Sequence, residues 1–143
     1  MSELSEIEKI ISSRLAELKK SVPVWASIVV TEDGLPIAYD LAEHTDLTTI
    51  SAIISSVVSI AERGVQELVP DQPLNQVILK IGDDPTGQTI IMEKIWENVI
   101  IFVIFPTVSN LGLVLLELEN AIRDIIEVIK SNVDVKLHPE TVL

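Results

Sequence analysis

There is no cysteine in this chain, so disulfides, thiolate metal sites and cysteine nucleophiles are excluded by count. Aromatic residues make up only 3%. An interior must therefore be built from Ile, Val and Leu, which suits closely layered sheet and helix. Positive charge is also in deficit, with ten Lys and Arg against twenty-two Asp and Glu, a net charge of −12. Such a chain repels phosphate backbones and anionic lipid surfaces, which disfavours nucleic acid and membrane-surface partners. The five glycines form neither a G-x-x-x-x-G-K-[ST] nor a G-x-G-x-x-G run, so the chain is not itself a P-loop or Rossmann enzyme. Its opening, "MSELSEIEKI", lacks the apolar stretch of a secretory signal, and a cytoplasmic protein is expected.

What the chain does have is apolar content. Over 143 residues, 48% are hydrophobic and the mean hydropathy is +0.43, enough for one compact domain with a rich core. The expected division is a single domain over 1–131 and a short C-terminal tail, 132–143, acting as an extended or mobile strap.

Residues 4–20 place Leu4, Ile7, Ile10, Ile11, Leu15 and Leu18 at helical spacing, with Ser5 and Glu8 as a capping box and Pro23 as the stop. In "VWASIVVTEDGLPIAYDL" the β-branched runs flank Glu32-Asp33-Gly34, which predicts a hairpin. Strands are predicted at 75–82 and 88–96, joined by the turn "DDPTG", and at 99–105 after a tight turn near Glu97-Asn98. The last of these, "VIIFVIF", is apolar at every position and should lie near the sheet centre with helices on both faces. After Pro106, a final helix capped by Thr107 or Ser109 should run to about Lys130, with Leu111, Leu115, Leu118, Ile122, Ile125, Ile126 and Ile129 as its stripe. The element order is thus αββαβββα, an α+β domain with a mainly antiparallel sheet of about five strands between helical layers.

The segment "LTTISAIISSVVSIA" at 47–61 carries no charge. It is shorter than the roughly 20 residues a bilayer-spanning helix needs, and its serines and threonines argue further against a transmembrane segment. On a helix, Ile50, Ile53, Ile54, Val57, Val58, Ile60, Ala61, Val65 and Leu68 share an arc of roughly 160° that is expected to face the core. The opposite side holds only small residues: Thr48, Ser51, Ala52, Ser55, Ser56 and Ser59. A solvated face would carry Glu and Lys, whereas small side chains admit a second helix, so these six are expected at a twofold dimer interface. The strand at 75–82, with Val77, Leu79 and Ile81 on one face, is expected at a sheet edge, where pairing with its symmetry mate would protect it.

Little else points to chemistry. "GDDPTG" is expected to be a turn rather than a Ca²⁺ site, and His44, with Glu43 and Asp46, a loop histidine rather than a metal or acid–base cluster. His138 falls in the tail. Glu32, Asp33, Asp40, Glu43 and Asp46 form an acidic run that is either a solvated rim or a docking surface for a basic partner. Arg63 is expected to be a surface ion-pair residue and not catalytic. No cofactor and no metal are expected.

The element order and spacing, the hairpin "VVTEDGLPIAYD", the small-residue helix after it and "PTVSNLGLVLLELENAI" resemble the Roadblock/LC7 domain family, including MglB-like members, over residues 4–130. That resemblance implies a three-layer α/β/α sandwich of profilin-like type, with sheet order 2-1-5-4-3. It also implies a homodimer in which the second helices pack together and the third strands pair. It further implies a non-enzymatic platform that binds and regulates or scaffolds a small Ras-like GTPase, and leaves open whether it accelerates the partner's GTP hydrolysis, as a GTPase-activating or co-regulatory protein, or only recruits it. The alternative is a profilin-like, longin or PAS-like module that senses a ligand or serves as an adaptor without a GTPase. A hydrolase built around His44 is a weaker rival.

Overall fold

The structure, a computed structural model, describes the backbone of residues 2–137 and the side chains of residues 6–132. Helix α1 (Ser2–Ser21) leads into the hairpin of β1 (Ala26–Thr31) and β2 (Pro36–Asp40), then α2 (Leu47–Leu68). Strands β3 (Gln76–Ile81), β4 (Gln88–Trp96) and β5 (Val99–Pro106) follow, and α3 (Leu111–Leu137) closes the chain. All neighbouring strands are antiparallel, in the order β2-β1-β5-β4-β3.

Both faces of the central strand are covered, as its unbroken apolar run requires. Val99, Ile101, Val103 and Phe105 point into the core beneath α1 and α3. Ile100 and Phe102 point the other way, into the core beneath α2 with Ile28, Val30, Ile54, Val58 and Met92. Helices α1 and α3 lie antiparallel, tied by Arg14 Nε donating to Asp124 Oδ2 at 2.6 Å.

Local chemistry sets the turns. Gly34 adopts φ +90°, and the Thr31 hydroxyl accepts from Leu35 N at 3.1 Å, which closes the first hairpin. Asn98 at φ 62° makes the tight turn into β5, a backbone region that Asn tolerates better than most residues.

Three helix ends differ from expectation. Helix α1 begins at Ser2, so Ser5 lies inside its first turn and does not cap it. Helix α3 begins only at Leu111, capped by Asn110, whose Oδ1 accepts from Leu113 N at 3.1 Å. The Thr107 hydroxyl is instead engaged with that of Thr89 at 2.9 Å, which withdraws it from capping. Helix α3 then continues to Leu137 instead of ending near Lys130, so residues 132–137 extend a helix. The rest of the expected strap, with His138, lies outside the described residues. In α3, Val114 and Ala121 join the core, while Leu111 and Leu115 are exposed.

Candidate partner interface

Helix α2 starts at a well-formed cap. Asp46 Oδ1 accepts from Thr49 N at 3.1 Å and Oδ2 from the Thr49 hydroxyl at 2.8 Å. These bonds, the hydroxyl's foremost, hold the Asp46 carboxyl below its ordinary pKa. Asp46 is therefore committed to the helix and is unavailable as a partner for His44.

The rotation of α2 about its axis differs from the sequence expectation. Ser51 and Ser55 are buried, together with Ile54 and Val58, facing the chain's own sheet. The cause is the first hairpin turn, which passes so close beneath the helix that a Cβ on Gly34 would meet Ser55 Oγ at 3.0 Å and Ala52 Cα at 3.3 Å. Only small residues fit there. Of the six positions expected to face a partner helix, Thr48, Ala52, Ser56 and Ser59 are exposed, whereas Ser51 and Ser55 are buried within the chain's own fold.

Turning the serines inward turns isoleucines outward. Ile53 is 49% exposed and Ile60 67%, with Val57 half-buried between them. These three positions, at i, i+4 and i+7, form a second apolar stripe on one helix. The sequence did hold a signal for it: an apolar arc of roughly 160° is wider than the stripe of about 100° that a single core contact needs.

Strand β3 forms the sheet edge, bonded only to β4. Its register pairs Val77 with Met92, Leu79 with Ile90 and Ile81 with Gln88, which places these three side chains on the α2 face of the sheet. Val77 is half-buried, and Leu79 and Ile81 are exposed. Val57 and Val77 both pack against the α2-side core, so the helix stripe and the strand edge lie on the same side of the sheet.

On that side, Lys94 on β4 donates to Glu62 of α2 at 2.6 Å and lies 2.8 Å from Glu32 of the hairpin turn. The two carboxylates, Glu32's effect the larger, raise the Lys94 pKa. The acidic run is thereby divided: Glu32 is bound to Lys94, Asp40 lies 4.0 Å from Lys19, and Asp46 caps α2. Only Asp33 and Glu43 remain as exposed carboxylates of that run without such roles among the described residues. Arg63 is exposed and makes no ion pair among the described residues.

Residues 82–87 form the β3–β4 turn, with Gly82 at φ 72° and Thr86 N bonded to Asp83 O at 3.1 Å. Among the described residues no three His, Cys, Asp or Glu side chains cluster as metal ligands would, and no helix is long and apolar enough to cross a membrane.

The sequence profile of the Roadblock/LC7 domain matches residues 12–105. No curated protein matches the chain by sequence. Among solved structures, MglB of Myxococcus xanthus is similar at a TM-score of 0.74 and 20% identity, covering 85% of this chain and 95% of its own. A Roadblock/LC7 domain from Streptomyces avermitilis follows at 0.73 and 11% identity, covering 83% and 97% respectively. The gliding protein MglB of Thermus thermophilus superposes at 0.70 with 12% identity, over 87% of this chain and 92% of its own.

Proposed function

Because the chain belongs to the Roadblock/LC7 domain family, we propose that it is a non-enzymatic, cytoplasmic homodimeric platform that binds and regulates or scaffolds a small Ras-like GTPase. The observation that carries the dimer is the placement of the exposed α2 stripe and the unpaired edge of β3 on one side of the sheet. An edge strand with exposed apolar side chains calls for a partner, and a twofold copy supplies the same strand and the same helix stripe. The interface comprises Thr48, Ala52, Ser56 and Ser59 of α2 and Val77, Leu79 and Ile81 of β3. Ile53, Val57 and Ile60 join them, and Ser51 and Ser55 leave the set.

Such a dimer acts on a GTPase by differential binding. Contact with one nucleotide-dependent conformation of the switch segments shifts the population toward that conformation. Two measurements test the proposal. Light scattering over a dilution series should give a dimer mass that Ile60→Glu reduces to a monomer. Ras-like GTPases of the host should then bind the native dimer differently when loaded with GTP analogue or GDP. A monomer at all concentrations, or nucleotide bound by the isolated protein, would count against it.

The ligand-sensing alternative needs a pocket. A cavity between α3 and strands β3 and β4 holds about 160 Å³, about half the lower end of small-molecule sites at roughly 300 Å³. The larger spaces, about 340 to 360 Å³ along α1 and α3 around Asp124, are open surface grooves. Neither kind encloses a drug-sized ligand, which favours the platform.

A further inference from the structure

Helix α1 protects α3 along only part of its length. The two run antiparallel, and Ser21, at the end of α1, comes level with Glu117, so the first turns of α3 project beyond it. Those turns expose Leu111, Leu113, Leu115 and Leu116. Beneath them lies the cavity of about 160 Å³, walled by Ile78, Ile91, Phe105, Leu111 and Leu115. Its floor is firm, since Ile91 and Phe105 are each only 1% exposed. Two threonines in the wall, Thr89 and Thr107, satisfy each other's hydroxyls at 2.9 Å, so the pocket makes little polar demand. On the β3 side, Ile78 is 54% exposed at its lip.

The surroundings are negative. Asp83 and Asp84 occupy the turn whose Gly87 carbonyl accepts from Thr107 N, next to the start of α3. Glu93 lies on the same sheet face as Ile91, and Glu119 stands one helical turn beyond Leu115. None of these four carboxylates makes an ion pair among the described residues, and Lys80 is the one cation lining the cavity. A second copy seated twofold on this face would bring these same carboxylates against one another.

We propose that this cavity is a docking site for an amphipathic segment of a partner protein that inserts one Leu-, Ile- or Phe-sized anchor between Ile78 and Leu115 and flanks it with Lys or Arg. The volume suits one large apolar side chain, and the rim suits basic neighbours. The site opens on the sheet face opposite α2, away from the helix stripe, and borders the proposed dimer surface only along β3, where Ile78 lies between Val77 and Leu79.

The test uses the full chain and a fluorescent helical peptide with Leu at i, i+3, i+4 and i+7 and Lys elsewhere. Control peptides replace its Leu by Ser or its Lys by Glu. Anisotropy should show binding of the Leu/Lys peptide alone, weakened about tenfold or more by Leu115→Glu and by Leu111→Glu. Both variants change exposed positions, and circular dichroism checks that they remain folded. Glu43→Gln, an exposed change beyond β2 at the opposite edge of the sheet, should leave the affinity unchanged, and methyl shifts should centre on Ile78, Ile91 and Leu115. Equal binding of the Ser/Lys peptide, no binding of the Leu/Lys peptide, indifference to both leucine variants or shifts centred on Ile53 and Ile60 would each overturn the proposal. So would a change of solution mass in Leu115→Glu, which would mark a self-association face.

Discussion

Gly34 lies directly under Ser55, so that a side-chain carbon at position 34 would stand 3.0 Å from the serine hydroxyl. This close approach of hairpin turn to helix determines which side of α2 faces out. It makes position 34 demanding twice over, through space and through a backbone at φ +90°. Gly34→Ala should cost about 1–3 kcal/mol, read by urea denaturation, with the helix still formed.

Ser55→Lys and Ser56→Lys should behave oppositely although the residues are adjacent. Position 55 is buried and position 56 exposed. A lysine at 55 must place its charge against the sheet or push α2 away, so the fold itself should lose stability, by about 3 kcal/mol or more. A lysine at 56 reaches solvent and should leave the fold intact while weakening the proposed dimer. Far-UV dichroism and light scattering on both variants separate the effects. Dissociation by the first without loss of thermal stability would contradict the observed rotation of α2.

Lys94 joins three elements through Glu32 and Glu62. Replacing it with methionine leaves two carboxylates facing each other and should cost about 1 kcal/mol, a modest figure because all three side chains are partly solvated. The pH dependence has a definite sign. A lysine whose folded pKa is raised contributes its full stabilisation below the ordinary lysine value and loses it as pH rises through the folded one. The gap between native and Lys94→Met melting temperatures should therefore close at strongly alkaline pH.

Asp46 has the opposite sign. Its carboxyl is held below the ordinary value by Thr49, so the cap stabilises α2 above the usual carboxylate range and fails as pH falls through the folded value. Asp46→Ala should lower the melting temperature at neutral pH and match the native protein in strong acid. A difference that persists in acid would mean that the cap works without its charge.

Much of the architecture was legible because it rests on local rules. Glu32-Asp33-Gly34 and Glu97-Asn98 announced turns through residues that tolerate unusual backbone angles, and β5 announced its central place by being apolar at every position. The exposure of Thr48, Ala52, Ser56 and Ser59 on α2, and of Leu79 and Ile81 on β3, was legible too. On the strand it follows from an edge position and the alternation of side chains.

The sequence by itself determined the order of the elements, the antiparallel sheet between two helical layers and the presence of an uncharged, small-residue helix. Only the tertiary structure decided which way that helix turned. A serine satisfies a close approach equally well whether the neighbour is another helix or a hairpin turn, and here Gly34, well before α2 in the chain, claimed Ser51 and Ser55 first. The isoleucines then had to face out. Packing likewise brought Lys94 to Glu62 across 32 residues and left the first turns of α3 uncovered. Both follow from where whole elements lie, which no short-range pattern in the chain records.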